Sequence, residues 1–225
     1  MLTKAMFGAV ANGAIASEKA EWYKENNVDL RLNSKVEKLD AEKKEVILTD
    51  GSVFSYDKCV YALGSYSFIP PFKGKDLPEV VSVRSIKDVE KVNALAKGAK
   101  NAVVIGGGVL GLEAAWELRK AKLNVTVLEG APVLMAGKVD PETVRILTDV
   151  AKQKGIEIRV GVKIDEISGA EHVDGVVADG EKLAADLVLV STGVRANIAI
   201  AQAAGLATDR AVIVDANMES SVKDI

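Results

Sequence analysis

A chain of 225 residues, 48% of them hydrophobic, is long enough to bury a substantial core in one large or two small domains. A net charge of −3 argues against a nucleic-acid partner, because the Lys-rich stretches 35–44 and 97–100 are mixed in sign or short and form no basic stripe. The single cysteine excludes an internal disulfide and a multi-cysteine metal site, and the lone His172 falls in a polar loop pattern, so no metal site is expected.

The first residues after Lys4 are small and apolar and loosely imitate a secretion signal, but Gly8, Asn12 and Gly13 interrupt the run. Residues 5–16 are read as a small-residue helix instead. No stretch approaches the ~20 apolar residues that would span a bilayer, and the chain is expected to be cytoplasmic. Residues 18–26 read as a helix carrying Trp22, and 28–32 alternate as a strand. Residues 36–39, 45–48 and 53–56 form a three-stranded meander, with Asp50-Gly51 as its second turn.

Residues 58–63 read as a buried strand that places Cys59 in a core as an inert thiol. Residues 67–78 hold three of the five prolines and read as a crossing loop. A helix at 85–96 leads into the apolar, β-branched run 102–105, the pattern of a strand buried on both faces of a parallel sheet. After it come a helix at 109–120 and a strand at 125–128 that ends at Glu129. A helix follows at 141–153 with Pro141 in its first turn. Strands follow at 156–160, 164–167, 173–177 and 187–190, and Gly193 opens a loop and a short Ala-rich helix that stops near Gly205.

Gly106, Gly108 and Gly111 stand in the spacing G-x-G-x-x-G between strand and helix. Gly106 allows the tight turn, Gly108 lets the backbone approach a pyrophosphate, and Gly111 lets the helix pack on the sheet. The unpaired N–H groups and positive dipole at the helix start can hold a diphosphate without a cationic side chain. Glu129, 23 residues after Gly106, is placed to accept hydrogen bonds from an adenosine ribose and to repel a 2′-phosphate. The pattern implies NAD(H) in preference to NADP(H), bound by Gly106, Gly107, Gly108, Val109, Leu110, Gly111 and Glu129.

The chain also repeats itself. Val28-Asp-Leu-Arg-Leu corresponds to Ile156-Glu-Ile-Arg-Val and Val36-Glu-Lys-Leu to Ile164-Asp-Glu-Ile, both 128 residues apart. Thr49-Asp-Gly corresponds to Ala178-Asp-Gly, and the stretch from Tyr56-Asp57 to Gly64 to that from Ala185-Asp186 to Gly193, both 129 apart. At that offset the first copy's glycine fingerprint falls before residue 1. The chain therefore reads as a piece of a longer protein, truncated at its N-terminus.

On these residues the chain resembles the pyridine nucleotide–disulfide oxidoreductase superfamily of two-dinucleotide flavoproteins. It looks most like the NADH-dependent rubredoxin and ferredoxin reductases and the N-terminal part of nitrite reductase large subunits. The resemblance covers nearly the whole chain. It rests on Leu2-Thr3-Lys4, Glu21-Trp22-Tyr23, Ala62-Leu63-Gly64-Ser65, the run Gly106 to Glu113, Ser191-Thr192-Gly193 and Val214-Asp215.

The resemblance implies an α/β fold. Residues 85–208 would form a three-layer, Rossmann-like NAD-binding domain with a β-meander. That domain would be inserted into a partial FAD-binding domain of the same type, with residues 1–84 its middle part and 209–225 the start of the return. It also implies that Lys4 lies beside the flavin N5, that Glu113 is its carboxylate partner near the nicotinamide, and that Gly193 belongs with the cofactor-binding residues. An ammonium held by a carboxylate can stabilise charge that develops on a flavin during hydride transfer.

The implied activity is transfer of hydride from NADH to FAD in the full-length protein. Electrons then pass to a rubredoxin- or ferredoxin-like protein, or to a fused redox domain such as a nitrite-reducing centre. No membrane partner is implied, and a homodimer is left open. Three departures qualify this. The first glycine fingerprint and the C-terminal Gly-Asp flavin motif are absent, a redox-active cysteine pair is absent, and Leu63 replaces a threonine. The chain alone is expected to bind NAD(H), to hold FAD poorly and to be inactive. The alternative is a non-catalytic NAD-binding regulatory module.

Overall fold

The computed structural model describes residues 2–8 and 16–225, except the Lys4 side chain; most of the helix expected at 5–16 lies outside the described residues. The elements in chain order are α1 (Ala20–Glu25), β1 (Val36–Asp40), β2 (Glu45–Leu48), β3 (Val53–Ser55), β4 (Ser65–Ser67), β5 (Val80–Val81), α2 (Ile86–Ala96) and β6 (Asn101–Ile105). Next come α3 (Val109–Lys120), β7 (Asn124–Glu129), α4 (Pro141–Gln153), β8 (Ile156–Val160), β9 (Ile164–Gly169) and β10 (Val173–Ala178). The last are β11 (Glu181–Ala184), β12 (Leu187–Val190), β13 (Val194–Ala196) and α5 (Ala199–Ala203). The chain divides into two compact units: the N-terminal turn with Ser67–Gly193, and Ala16–Tyr66 with Val194–Ile225.

The first unit is built on a five-stranded parallel sheet of order β5-β12-β6-β7-β8. Its inner strands β12 and β6 are apolar on both faces because each face is covered, whereas the edge strand β8 carries Glu157 and Arg159. Ala102 and Val104 of β6, Val125 and Val127 of β7, and Leu187 and Leu189 of β12 pack into one cluster with Val89, Ala114, Leu118 and Ala151 of the helices. Val103, Ile105, Leu128, Val188 and Val190 point the other way, onto Ile167, Val173 and Val176 of the antiparallel meander β9-β10-β11. The layers are therefore helices, parallel sheet and meander. Each such fully buried Val or Leu contributes about 1.5–3 kcal/mol of transfer free energy.

The helices are punctuated as the sequence requires. Ser85 and Asp88 form a reciprocal capping box at the start of α2. Asp140 caps α4 by accepting from the Thr143 N–H at 3.0 Å, ahead of Pro141. Asp140→Ala is expected to destabilise this unit by about 1 kcal/mol without affecting the parallel sheet, as read by chemical denaturation.

The meander is tied to the loop before β5 by His172, whose Nδ1 lies 2.6 Å from Glu79 Oε1, while Glu79 Oε2 accepts from the Val173 N–H at 2.9 Å. The hydrogen bond and charge of Glu79 raise the His172 pKa above 6.5. Burial pushes the Glu79 carboxyl up, but the Val173 N–H and His172 outweigh it and hold it below 4.5. The histidine's contribution to stability is complete below its ordinary value and is lost as pH rises through the raised one. The carboxylate's contribution is complete above its ordinary value and is lost as pH falls through the lowered one. As His172 is the single histidine, one NMR titration reads it directly. Its midpoint is expected above the ordinary value and should return there in Glu79→Gln.

In the second unit β1-β2-β3 form a second antiparallel meander, the counterpart of β9-β10-β11 that the repeat predicts. Leu39 of β1 packs with Ala201 of α5 and Leu206, and half-buried Cys59 joins them. Burial raises the Cys59 thiol pKa.

Two expected strands are corrected here. Residues 28–32 and 58–63 form no ladder; Leu32 is 72% exposed and Val60 89%. Their second-copy counterparts are strands because β8 pairs with β7, and β12 lies between β5 and β6. Among the described residues the first copy has no such neighbouring strands, and the isolated bonds these segments make, Val28 N–H to the Tyr23 carbonyl and Cys59 N–H to the Asp224 carbonyl, both 2.8 Å, do not add up to a ladder.

Candidate functional site

The site lies at the carboxyl end of the parallel sheet, where β6 turns into α3. Gly106 has φ +117°, and a Cβ there would run into the Ser191 carbonyl. Its N–H donates to the Leu128 carbonyl at 2.8 Å, and the Ser191 N–H donates to Ile105 at 2.8 Å, so the sheet's hydrogen bonding reaches the turn itself. Gly111 is buried in the first turns of α3, where a Cβ would strike the Gly106 carbonyl. With Ala114, Ala115 and Leu118 it makes the face that α3 lays on the sheet.

Gly108 is the N-cap of α3 and has no side chain to occupy the first N–H groups, and the space where a Cβ would project is open for 4 Å. Val109 and Leu110, in the first turn, are exposed. The helix therefore offers a row of N–H groups and the positive end of its dipole, with Arg119 and Lys120 at the opposite end.

Glu129 closes β7. Its Oε2 accepts from the Gly107 N–H at 2.6 Å and its Oε1 from the Ala131 N–H at 2.7 Å. These two main-chain donors fix a half-buried carboxylate against the glycine turn. The Met135 N–H in turn donates to the Gly107 carbonyl at 3.1 Å, with Leu134 buried beneath.

Gly106, Gly108 and Glu129 line one cleft of about 560 Å³. Its other walls are Phe72 from the crossing loop, residues 162–164 beyond β8, and Ser191 and Thr192 beyond β12. Thr192 donates to the Phe68 carbonyl at 2.6 Å, which holds that loop to the end of β12. The wall residues Phe72, Val162 and Ile164 were not among the expected site residues. Only the strand order brings them here. Gly193, expected in the site, follows Thr192 with φ +103° and does not line the cleft.

Glu113 lies one turn into α3, half-buried, and its Oε2 accepts from the Thr3 hydroxyl at 2.6 Å. Thr3 opens the short 3₁₀ turn Thr3–Ala5, which includes Lys4. The expected contact between Lys4 and Glu113 falls on a side chain outside the described residues.

A glycine turn open at Gly108, a row of helix N–H groups and a fixed carboxylate at the end of the adjacent strand suit a diphosphate followed by a ribose. The class this defines is an α/β protein of the dinucleotide-binding type. Over residues 1–225 the chain matches the model of the pyridine nucleotide-disulphide oxidoreductase family, and it belongs to that family. Enzymes of this family are oxidoreductases that use NAD(H) and FAD.

The NAD(P)H nitrite reductase of Bacillus subtilis (strain 168) is 35% identical over 226 residues, which are 100% of this chain and 28% of that protein. The rubredoxin–NAD(+) reductase of Pseudomonas putida is 31% identical, over 94% of this chain and 55% of that one. Among solved structures, a ferredoxin reductase from Rhodopseudomonas palustris superposes with a TM-score of 0.95 at 30% identity, covering 99% of this chain and 56% of that one. The chain thus spans about half, or less, of the length of the relatives it matches.

The residues present fit one dinucleotide. Among the described residues no second glycine turn leads into a helix N-terminus, and 58–63, the counterpart of β12, joins no sheet. No helix among them is long and apolar enough to cross a membrane.

Proposed function

We propose that this chain is the NADH-binding portion of a flavin-dependent oxidoreductase, its NAD-binding domain inserted between parts of a flavin domain. The observation that supports this best is the carboxylate of Glu129, held 2.6 Å from the Gly107 N–H beside an open Gly108. In this reading the N–H groups of residues 108–110 take the coenzyme diphosphate, and Gly106 and Gly111 let backbone and helix close around it. Glu129 accepts from the adenosine ribose and disfavours a 2′-phosphate.

Glu113 stands on the nicotinamide side with Lys4, where a carboxylate and an ammonium balance one another as charge moves. When bound, the coenzyme supplies the hydride and the flavin of the whole protein accepts it. Electrons then leave to a small redox protein or to a further redox centre of the same polypeptide. The chain on its own binds coenzyme without turning it over.

Calorimetric titration with NADH and with NADPH tests this. Saturable binding of NADH, with NADPH at least tenfold weaker, is the expected result. A folded chain that takes up neither at millimolar concentration contradicts it.

A further inference from the structure

We propose that Thr3 is a positioning residue for Glu113. It holds the carboxylate by one oxygen and leaves the other directed to the nicotinamide side of the coenzyme. The inference rests on the nicotinamide-side role given to Glu113 above.

Three observations carry it. The Thr3 hydroxyl donates to Glu113 Oε2 at 2.6 Å, a short, charge-assisted hydrogen bond. Among the described residues no donor reaches Oε1. Thr3 itself is 3% exposed, in a turn closed by Ala5 N–H to Leu2 and Met6 N–H to Thr3. That turn is anchored because Ala5 and Met6 are buried in the same cluster as Ala114, Ala115 and Leu118 of α3.

The donor and the helix that carries the acceptor are thus fixed by one core, so the hydroxyl cannot follow the carboxylate to another rotamer. A long acidic side chain with only helix surface around it samples several rotamers; one pinned by a buried donor does not. The bond also joins the residue before Lys4 to the acid expected to face Lys4. Thr3 would therefore set the spacing of that pair without touching coenzyme.

The test compares Thr3→Val, which keeps the shape and removes the donor, with Thr3→Ser, which keeps the donor, in the full chain. The readout is the ratio of NAD+ to NADH affinity. A carboxylate held near the ring favours the cationic oxidised form over the neutral reduced one. Thr3→Val is expected to shift the ratio against NAD+ by about fivefold, the size of one partly exposed charge interaction. Thr3→Ser should retain the parental ratio, and Glu113→Gln should shift it as Thr3→Val does, with no further change in the double variant.

If Glu113→Gln shifts the ratio while Thr3→Val weakens both forms equally or only lowers the melting temperature, the hydroxyl is structural and the proposal is overturned. If Glu113→Gln also leaves the ratio unchanged while both forms bind, the role given to Glu113 fails and the proposal fails with it. If neither form binds the parent chain, the coenzyme reading itself is wrong.

Discussion

Glu129→Ala is expected to bind NADH roughly ten- to a hundredfold more weakly, the loss of about 1.5–3 kcal/mol that follows from removing a charged acceptor for ribose hydroxyls. Its affinity for NADPH should fall much less, because the charge that repels a 2′-phosphate goes with the same side chain. The two coenzymes should therefore converge. Part of the loss comes from the protein itself, as the Gly107 and Ala131 N–H groups lose their acceptor. Glu129→Gln separates these effects, because it retains a hydrogen-bonding oxygen and removes the charge. It should keep more NADH affinity than the alanine variant and still relax the discrimination. Unchanged affinity of Glu129→Ala for both coenzymes, measured by calorimetry, would show that the acid does not hold the ribose.

The second large effect is a contrast between two glycines three positions apart. In Gly111→Ala the new methyl meets the Gly106 carbonyl, main chain that cannot yield without opening the strand–helix turn. Overpacking of this kind costs about 1–3 kcal/mol or more, so both melting temperature and coenzyme binding should drop. In Gly108→Ala the methyl projects into open space from a backbone at φ −80° that any residue adopts. Its stability should stay within about 1 kcal/mol of the parent, the usual cost of alanine at an N-cap. Its affinity should nonetheless fall at least tenfold, because the methyl stands where the diphosphate must approach. A Gly108→Ala protein that binds normally would place the coenzyme elsewhere.

The glycine turn and Glu129 were legible because their chemistry is local. Strand, turn, helix and acid occupy one contiguous stretch whose apolar period and glycine spacing leave little choice, and α3 and α4 begin and end where their residues predicted. The rest of the cleft was not legible, because Phe72, residues 162–164 and Thr192 meet only through the order β5-β12-β6-β7-β8. The same limit explains both misread strands. Alternation in 28–32 and the apolar run at 58–63 state what a strand would bury, not whether a neighbour is there to pair with it.

β11 was overlooked for the converse reason. Glu181-Lys-Leu-Ala has little strand character of its own and is extended because β10 pairs with it. The bond between Thr3 and Glu113 spans 110 positions of chain and leaves no trace in local pattern.

The most direct test is a crystal structure of the chain grown with NAD+. The account predicts diphosphate oxygens within hydrogen-bonding distance of the N–H groups at the start of α3 and ribose hydroxyls on Glu129. Coenzyme bound away from Gly106–Gly111, or a cleft filled by the protein's own side chains with none bound, would contradict it.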